Sequence, residues 1–181
     1  MLSDQSPYNL TNLSHRTKTV TLTFKRDQLL YDIGNYAYVE GDIMHTEDEH
    51  DRHQVQDIAQ DGNVDRTTRV LNLAFSEVVE STYPYSKRIV GDTTTQDNTL
   101  AIPSEYVLQM TVPDDFSQTS VDYMLHNIHE FLVCRVVGDW MSITNPSSAE
   151  KWMLKQQEAL TKVRQSVNMR VRRIRRTMAP F

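Results

Sequence analysis

His45, His50 and His53, set among Glu47, Asp48, Glu49, Asp51 and Asp57, form the densest group of possible metal ligands and acid–base side chains in the chain. On a helix His53 and Asp57 share a face at i, i+4, and His50 and His53 at i, i+3, spacings that metal sites use. The two-histidine zincin pattern with its interposed glutamate is absent, and carboxylate-rich surface helices produce such pairs by chance. No second feature supports a general acid or base here. The expected state is an exposed, charged helix or turn with Val55 and Ile58 touching the body, and no metal, cofactor or catalytic residue is assigned.

The other reactive types are as sparse. Cys134 is the single cysteine, which excludes an internal disulfide and a multi-cysteine metal site and suits a reducing cytoplasm. Its apolar, helical setting predicts a buried and inert thiol. His126 and His129 flank an apolar stripe and read as exposed or hydrogen-bonded rather than as ligands. Gly91 is a lone glycine with no lysine following it, so no phosphate-binding loop is expected.

Charge is distributed unevenly. The formal net charge is −5 over 181 residues. Between Asp27 and Asp65, Arg52 is the lone base; from Lys151 onward, Glu158 is the lone acid. Such polarity suggests complementary protein surfaces, or a basic end that meets nucleic acid. The basic end culminates in Arg170, Arg172, Arg173, Arg175 and Arg176, just before Phe181. Arginines at a helix C-terminus gain a few tenths of a kcal/mol each from the dipole, too little to explain five, so they are candidate partner contacts together with Phe181. The total acidity, and the lack of aromatics among the arginines, make nucleic-acid binding the second choice.

The elements that must carry these residues are mostly helical. Residues 1–17 read as an extended N-terminal arm, and Met1 to Arg16 lacks the blocks of a signal peptide, so the chain is expected to stay where it is made. No apolar run reaches membrane-spanning length. Val20, Leu22 and Phe24 alternate with threonines as in a half-buried strand. A helix follows over Asp27–Glu40, stopped by Gly41, with Tyr31, Tyr36 and Tyr38 as possible interface anchors, though Tyr36 suits the core. Asn63 is expected to cap a helix reaching Ser81, which Tyr83-Pro84-Tyr85 ends. Residues 86–116 read as strand, polar loop and strand, a projecting β arm whose tip residues Thr94, Thr95 and Gln96 are candidate contacts. A third long helix starts near Thr119 and runs through Trp140. After the break at Asn145-Pro146, Ser147 and Glu150 form a capping-box pattern, opening a final helix of about 28 residues, roughly 42 Å at 1.5 Å per residue.

The resulting fold class is mainly α: a helical bundle with a long C-terminal helical hairpin and a small β arm or hairpin. The body covers residues 18–177, with the insertion at about 86–116 and a tail at 178–181.

The helix–Asn145-Pro146–helix segment, with Trp140 before the break and Trp152 after it, resembles the C-terminal hairpin of tailed-phage head-to-tail connector proteins. The block DGNVDRTTRVLNLAFSEV at 61–78, followed by Tyr83-Pro84-Tyr85-Ser86-Lys87, resembles connector-like proteins of Bacteroidetes phages and prophages. The resemblance implies a homo-oligomeric ring of about twelve copies, bound to the portal protein on one side and to a tail or second neck-ring protein on the other. It also implies genomic DNA in the lumen without sequence reading, a place in the virion neck, and assembly in the host bacterial cytoplasm. The 86–116 insertion is longer than a minimal adaptor of this kind needs.

Overall fold

The computed structural model describes residues 17–44 and 49–171. Its order is β1 (Thr17–Lys25), α1 (Arg26–Asp42), α2 (Glu49–Gln56), a 3-10 turn (Asp57–Ala59), α3 (Val64–Ser81), a short α4 (Tyr83–Ser86), β2 (Glu105–Pro113), α5 (Gln118–Thr144) and α6 (Pro146–Ser166). The chain is mainly α, with one small antiparallel sheet and a long C-terminal hairpin.

Helix α5 is the axis of the packing. From Phe131 to Cys134 and from Val136 to Gly138 it is buried on every side, because α1, α3 and α6 all pack against it. Its 27 residues span roughly 40 Å. Helix α6 folds back along it after Asn145 and buries Ala149, Trp152, Ala159 and Val163. Gly138 lies at the crossing, where a Cβ would stand 3.5 Å from Trp152 Cβ, in ordinary van der Waals contact. The Trp152 ring packs on Tyr36 of α1, with centroids 5.2 Å apart. The apolar spacing in α6 therefore reflects one strip shared between two helices.

The alternation in β1 faces Leu22 and Phe24 inward and the threonines outward. Its partner is β2, in a register that puts Val20 opposite Met110, Leu22 opposite Leu108 and Phe24 opposite Tyr106. Lys25 stands opposite Glu105, an attractive cross-strand pair at the outer end. The strand expected at Tyr106–Val112 is thus present, but its partner lies more than eighty residues earlier. No strand forms within 87–104. A hairpin inside 86–116 would have left the inward face of β1 without its sheet partner; pairing β1 with β2 joins two alternating faces over one core.

Helix boundaries differ locally from expectation. Gly41 does not stop α1, which continues to Asp42; a Cβ at Gly41 would approach Gln56 Cγ to 2.7 Å and the Arg52 carbonyl to 3.1 Å, so its small size serves the α1–α2 contact. Asn63 makes no capping bond and instead donates to the Asp57 carbonyl at 2.9 Å, tying the 3-10 turn to α3. The capping box is not formed either: α6 begins at Pro146, and Ser147 Oγ donates to Asn145 Oδ1 at 2.6 Å. Proline at the first helical position supplies the start itself, having no N–H to satisfy. Helix α5 begins at Gln118, with Ser117 rather than Thr119 before it.

The largest departure is the end of α6. It stops at Ser166, 21 residues in all, although Val163, Val167 and Val171 keep helical spacing. Ser166 Oγ donates to the Val163 carbonyl at 2.7 Å and Asn168 Nδ2 to the Arg164 carbonyl at 3.4 Å, side-chain bonds that compete with helix continuation. The chain then turns, and Phe116 and Arg170 form an isolated antiparallel bridge.

Candidate interaction surfaces

Three features carry the side chains singled out by charge and spacing: the C-terminal turn, the exposed side of α1 and the segment after α4.

At the C-terminal turn, Arg170 is engaged inside the molecule. Its guanidinium lies over the rings of Tyr85 and Phe116, 5.2 and 5.1 Å from their centroids. It also bonds the Tyr85 hydroxyl and stands 3.8 Å from Asp115. Val171 N donates to the Asp115 carbonyl at 3.0 Å. An arginine expected to meet a partner thus fastens the end of α6 to the corner between β2 and α5. Arg172, Arg173, Arg175, Arg176 and Phe181 lie outside the described residues.

The acidic and basic halves of the chain also meet internally. Glu40 on α1 is buried, and its carboxylate pairs with Lys151 of α6. Outside those two segments, Arg66 of α3 reaches Asp139 of α5 at 3.2 Å, and Arg135 reaches Glu77 at 3.5 Å. Lys155 and Lys151 lie over the Trp152 ring, 4.4 and 5.3 Å from its centroid, so part of the basic character of α6 shields an aromatic side chain from water.

Among the histidines, His129 Nε2 stands 2.9 Å from Asp32 Oδ2, a partner on α1 that spacing along α5 does not reveal. His126 is exposed beside it, at a cleft of about 310 Å³ also lined by Phe24, Lys25, Gln28 and Leu125. His50 on α2 stands 2.8 Å from Gln54 Nε2, and His53 is exposed. Among the described residues no group of three or more histidine, cysteine and carboxylate side chains converges. His45, Glu47 and Asp48 lie outside the described residues.

Cys134 is fully buried, and its thiol faces Glu130 Oε1 at 3.4 Å. Burial, and secondly the Glu130 carboxylate, push its pKa up to about 12 from an ordinary 9.0. Tyr106 is likewise pushed up to about 12 by burial, its hydroxyl donating to Asn72 Oδ1 at 2.6 Å. Both groups are neutral when protonated, so their contribution to stability is complete below about pH 9. It declines as pH rises toward 12, because the unfolded chain releases these protons first. The expected results are a Cys134 thiol that resists a thiol-specific reagent at pH 8 until denaturant is added, and a denaturation midpoint that falls between pH 9 and 11. Rapid labelling of the folded protein would contradict the first, and a pH-independent midpoint the second.

The segment 87–104 is held at both ends and open between them. Ser86 Oγ donates to the Val79 carbonyl at 2.7 Å before it; after it, Asn72 Nδ2 donates to the Ala101 carbonyl at 2.8 Å and Arg26 N to the Ser104 carbonyl at 3.0 Å. Between these anchors Thr94, Thr95 and Gln96 are exposed, as are Lys87 and Arg88. Asp97 accepts from Thr99 N at 2.9 Å, which holds its carboxyl below the ordinary range. Ile89 is 99% exposed and Val90 77% exposed, although both are apolar and β-branched. Their pairing in sequence suggests a strand, which hides their significance as uncovered side chains.

Along α1, Tyr36 turns into the core while Tyr31 and Tyr38 stay exposed, at 69% and 58%. They border a shallow groove of about 340 Å³ whose walls also include Leu30, Gly34, Asn35 and Ala59.

No family model, curated protein or solved structure matches the chain. Among the described residues, no helix is long and apolar enough to cross a membrane.

Proposed function

We propose that this chain is a structural subunit of a tailed-phage virion, a head-to-tail connector that forms a ring between portal and tail around the DNA channel. The observation that carries the reading is the anchored segment 87–104, which presents Ile89 and Val90 to solvent from a body built on the α5–α6 hairpin. Uncovered apolar side chains on a segment pinned at both ends fit a part whose surface is completed by neighbours. The helical hairpin with Trp140 and Trp152 supports the same reading through its resemblance to connectors.

In this role the chain acts without catalysis. Copies join laterally, about twelve to a ring by the resemblance, and the closed symmetry leaves one face for the portal and the other for a tail or second neck-ring protein. DNA passes through the lumen and meets charge without sequence readout. Assembly takes place in the host bacterial cytoplasm and the product resides in the virion neck.

Negative-stain microscopy of the purified chain, alone and mixed with the portal of the same virion, tests this. Rings, or collars attached to portals, are expected. Dispersed particles that leave portals bare at high protein concentration would reject the reading.

A further inference from the structure

We infer that Ile89 and Val90 of one copy seat in the Tyr31–Tyr38 groove on α1 of the next copy, making a head-to-tail contact. This deepens the assembly reading and rests on it in requiring that copies associate.

The groove side of the contact is a regular stripe. Asp27, Tyr31, Asn35, Tyr38 and Asp42 follow one another at intervals of four, four, three and four along α1, and all five are exposed. Two tyrosines thus stand between two carboxylates on one helical face. Gly34 and Ala59 keep the floor between the rings low. Tyrosine suits such a place because it offers a large rigid apolar surface with a polar tip.

On the other side, the residues next to the apolar pair carry the opposite charge. Lys87 and Arg88 immediately precede Ile89 and Val90, and all four are exposed. Asp92 and Asp97 follow Val90 by two and seven residues, and Asp97 is occupied by the Thr99 backbone N–H. Seven residues of helix separate Tyr31 from Tyr38, roughly 10 Å, and about three residues of extended chain cover the same length. The Ile89-Val90 pair, at roughly 7 Å of extended chain, therefore fits between the rings, and Arg88, the residue before it, brings the extended stretch to the full distance.

The geometry favours a second copy over an unrelated protein because both halves of the contact belong to one chain and carry opposite charge. The two surfaces differ, so the contact is heterologous: each copy offers an arm and a groove, and repetition continues until a ring closes. One such contact is smaller than a standard stable interface, so assembly is expected to depend steeply on concentration.

The experiment uses the full chain and two double variants altered only at exposed positions: an arm variant, Ile89→Asp with Val90→Asp, and a groove variant, Tyr31→Asp with Tyr38→Asp. Sedimentation velocity from micromolar to near-millimolar protein is expected to show oligomers of the unaltered chain and monomers of each variant. An equimolar mixture of the variants retains one intact arm and one intact groove, so it is expected to yield a one-to-one heterodimer that grows no further. In parallel, mixing Tyr38→Cys with Ile89→Cys under oxidising conditions is expected to give the cross-linked heterodimer in preference to either homodimer, while buried Cys134 stays silent. If the arm variant assembles like the unaltered chain, this contact is overturned while the assembly reading survives. If both variants are monomeric but their mixture gives no heterodimer, the pairing of these two surfaces is overturned. An unaltered chain that remains monomeric throughout overturns the contact and the assembly reading together.

Discussion

Replacing Trp152 by alanine is expected to lower unfolding stability by about 3–5 kcal/mol, the usual cost of removing a large buried aromatic side chain. Trp152 is 2% exposed, packs on Tyr36 of α1, and lies where α6 crosses α5 at Gly138. Its removal leaves a cavity among three helices, and the glycine opposite has no side chain with which to fill it. Phenylalanine is expected to cost less than about 2 kcal/mol. Most of the apolar volume is retained, and the indole N–H, which is buried without a hydrogen-bond partner, is eliminated. For a chain of this length the alanine variant corresponds to a fall in midpoint temperature of roughly 10 °C. Urea denaturation followed by far-UV circular dichroism measures both variants. An alanine variant within 1 kcal/mol of the unaltered chain would mean that α6 does not depend on this side chain for its docking.

Helical spacing exposed that role of α6 in advance, and the same spacing failed at the helix end. Leu29 and Ile33, and Leu71 and Val78, were readable as core because burial of one helix face imposes a period near 3.6. Val171 continued the period of Val163 and Val167, yet the helix had already ended. The decisive influences are non-local: Arg170 seats between Tyr85 and Phe116, and Asp115 receives the following backbone N–H. Nothing within the window around Arg170 announces those partners. The same applies to Lys151, whose charge suggested an outward contact but which pairs with Glu40, 111 positions away. The exposure of Tyr31 and Tyr38 was legible because Tyr36 alone falls on the inward side. The exposure of Ile89 and Val90 was not, because two adjacent β-branched residues signal a strand regardless of whether any other strand is within reach.

The partner of β2 was the costliest ambiguity, and Leu108→Asp separates the alternatives. Leu108 is 1% exposed and stands opposite Leu22 over the core. Aspartate there forfeits the burial of a leucine side chain and places a carboxylate among Phe24, Tyr106 and Met110, the buried neighbours on the same face of the sheet. Loss of transfer energy and an unpaired charge together are expected to cost on the order of 4–5 kcal/mol, enough to unfold a marginally stable protein at moderate temperature. Gln109→Asp, one residue along on the outward face, is expected to change stability by less than about 1 kcal/mol, because its side chain remains in water. A sheet closed within 86–116 and projecting from the body would give a different pattern, since neither face of such an arm is covered and both substitutions would be mild. Thermal melts of the two variants therefore read the register directly. A large effect confined to Leu108 places β2 against β1 over the core, and equal small effects would return the strand to a projecting arm.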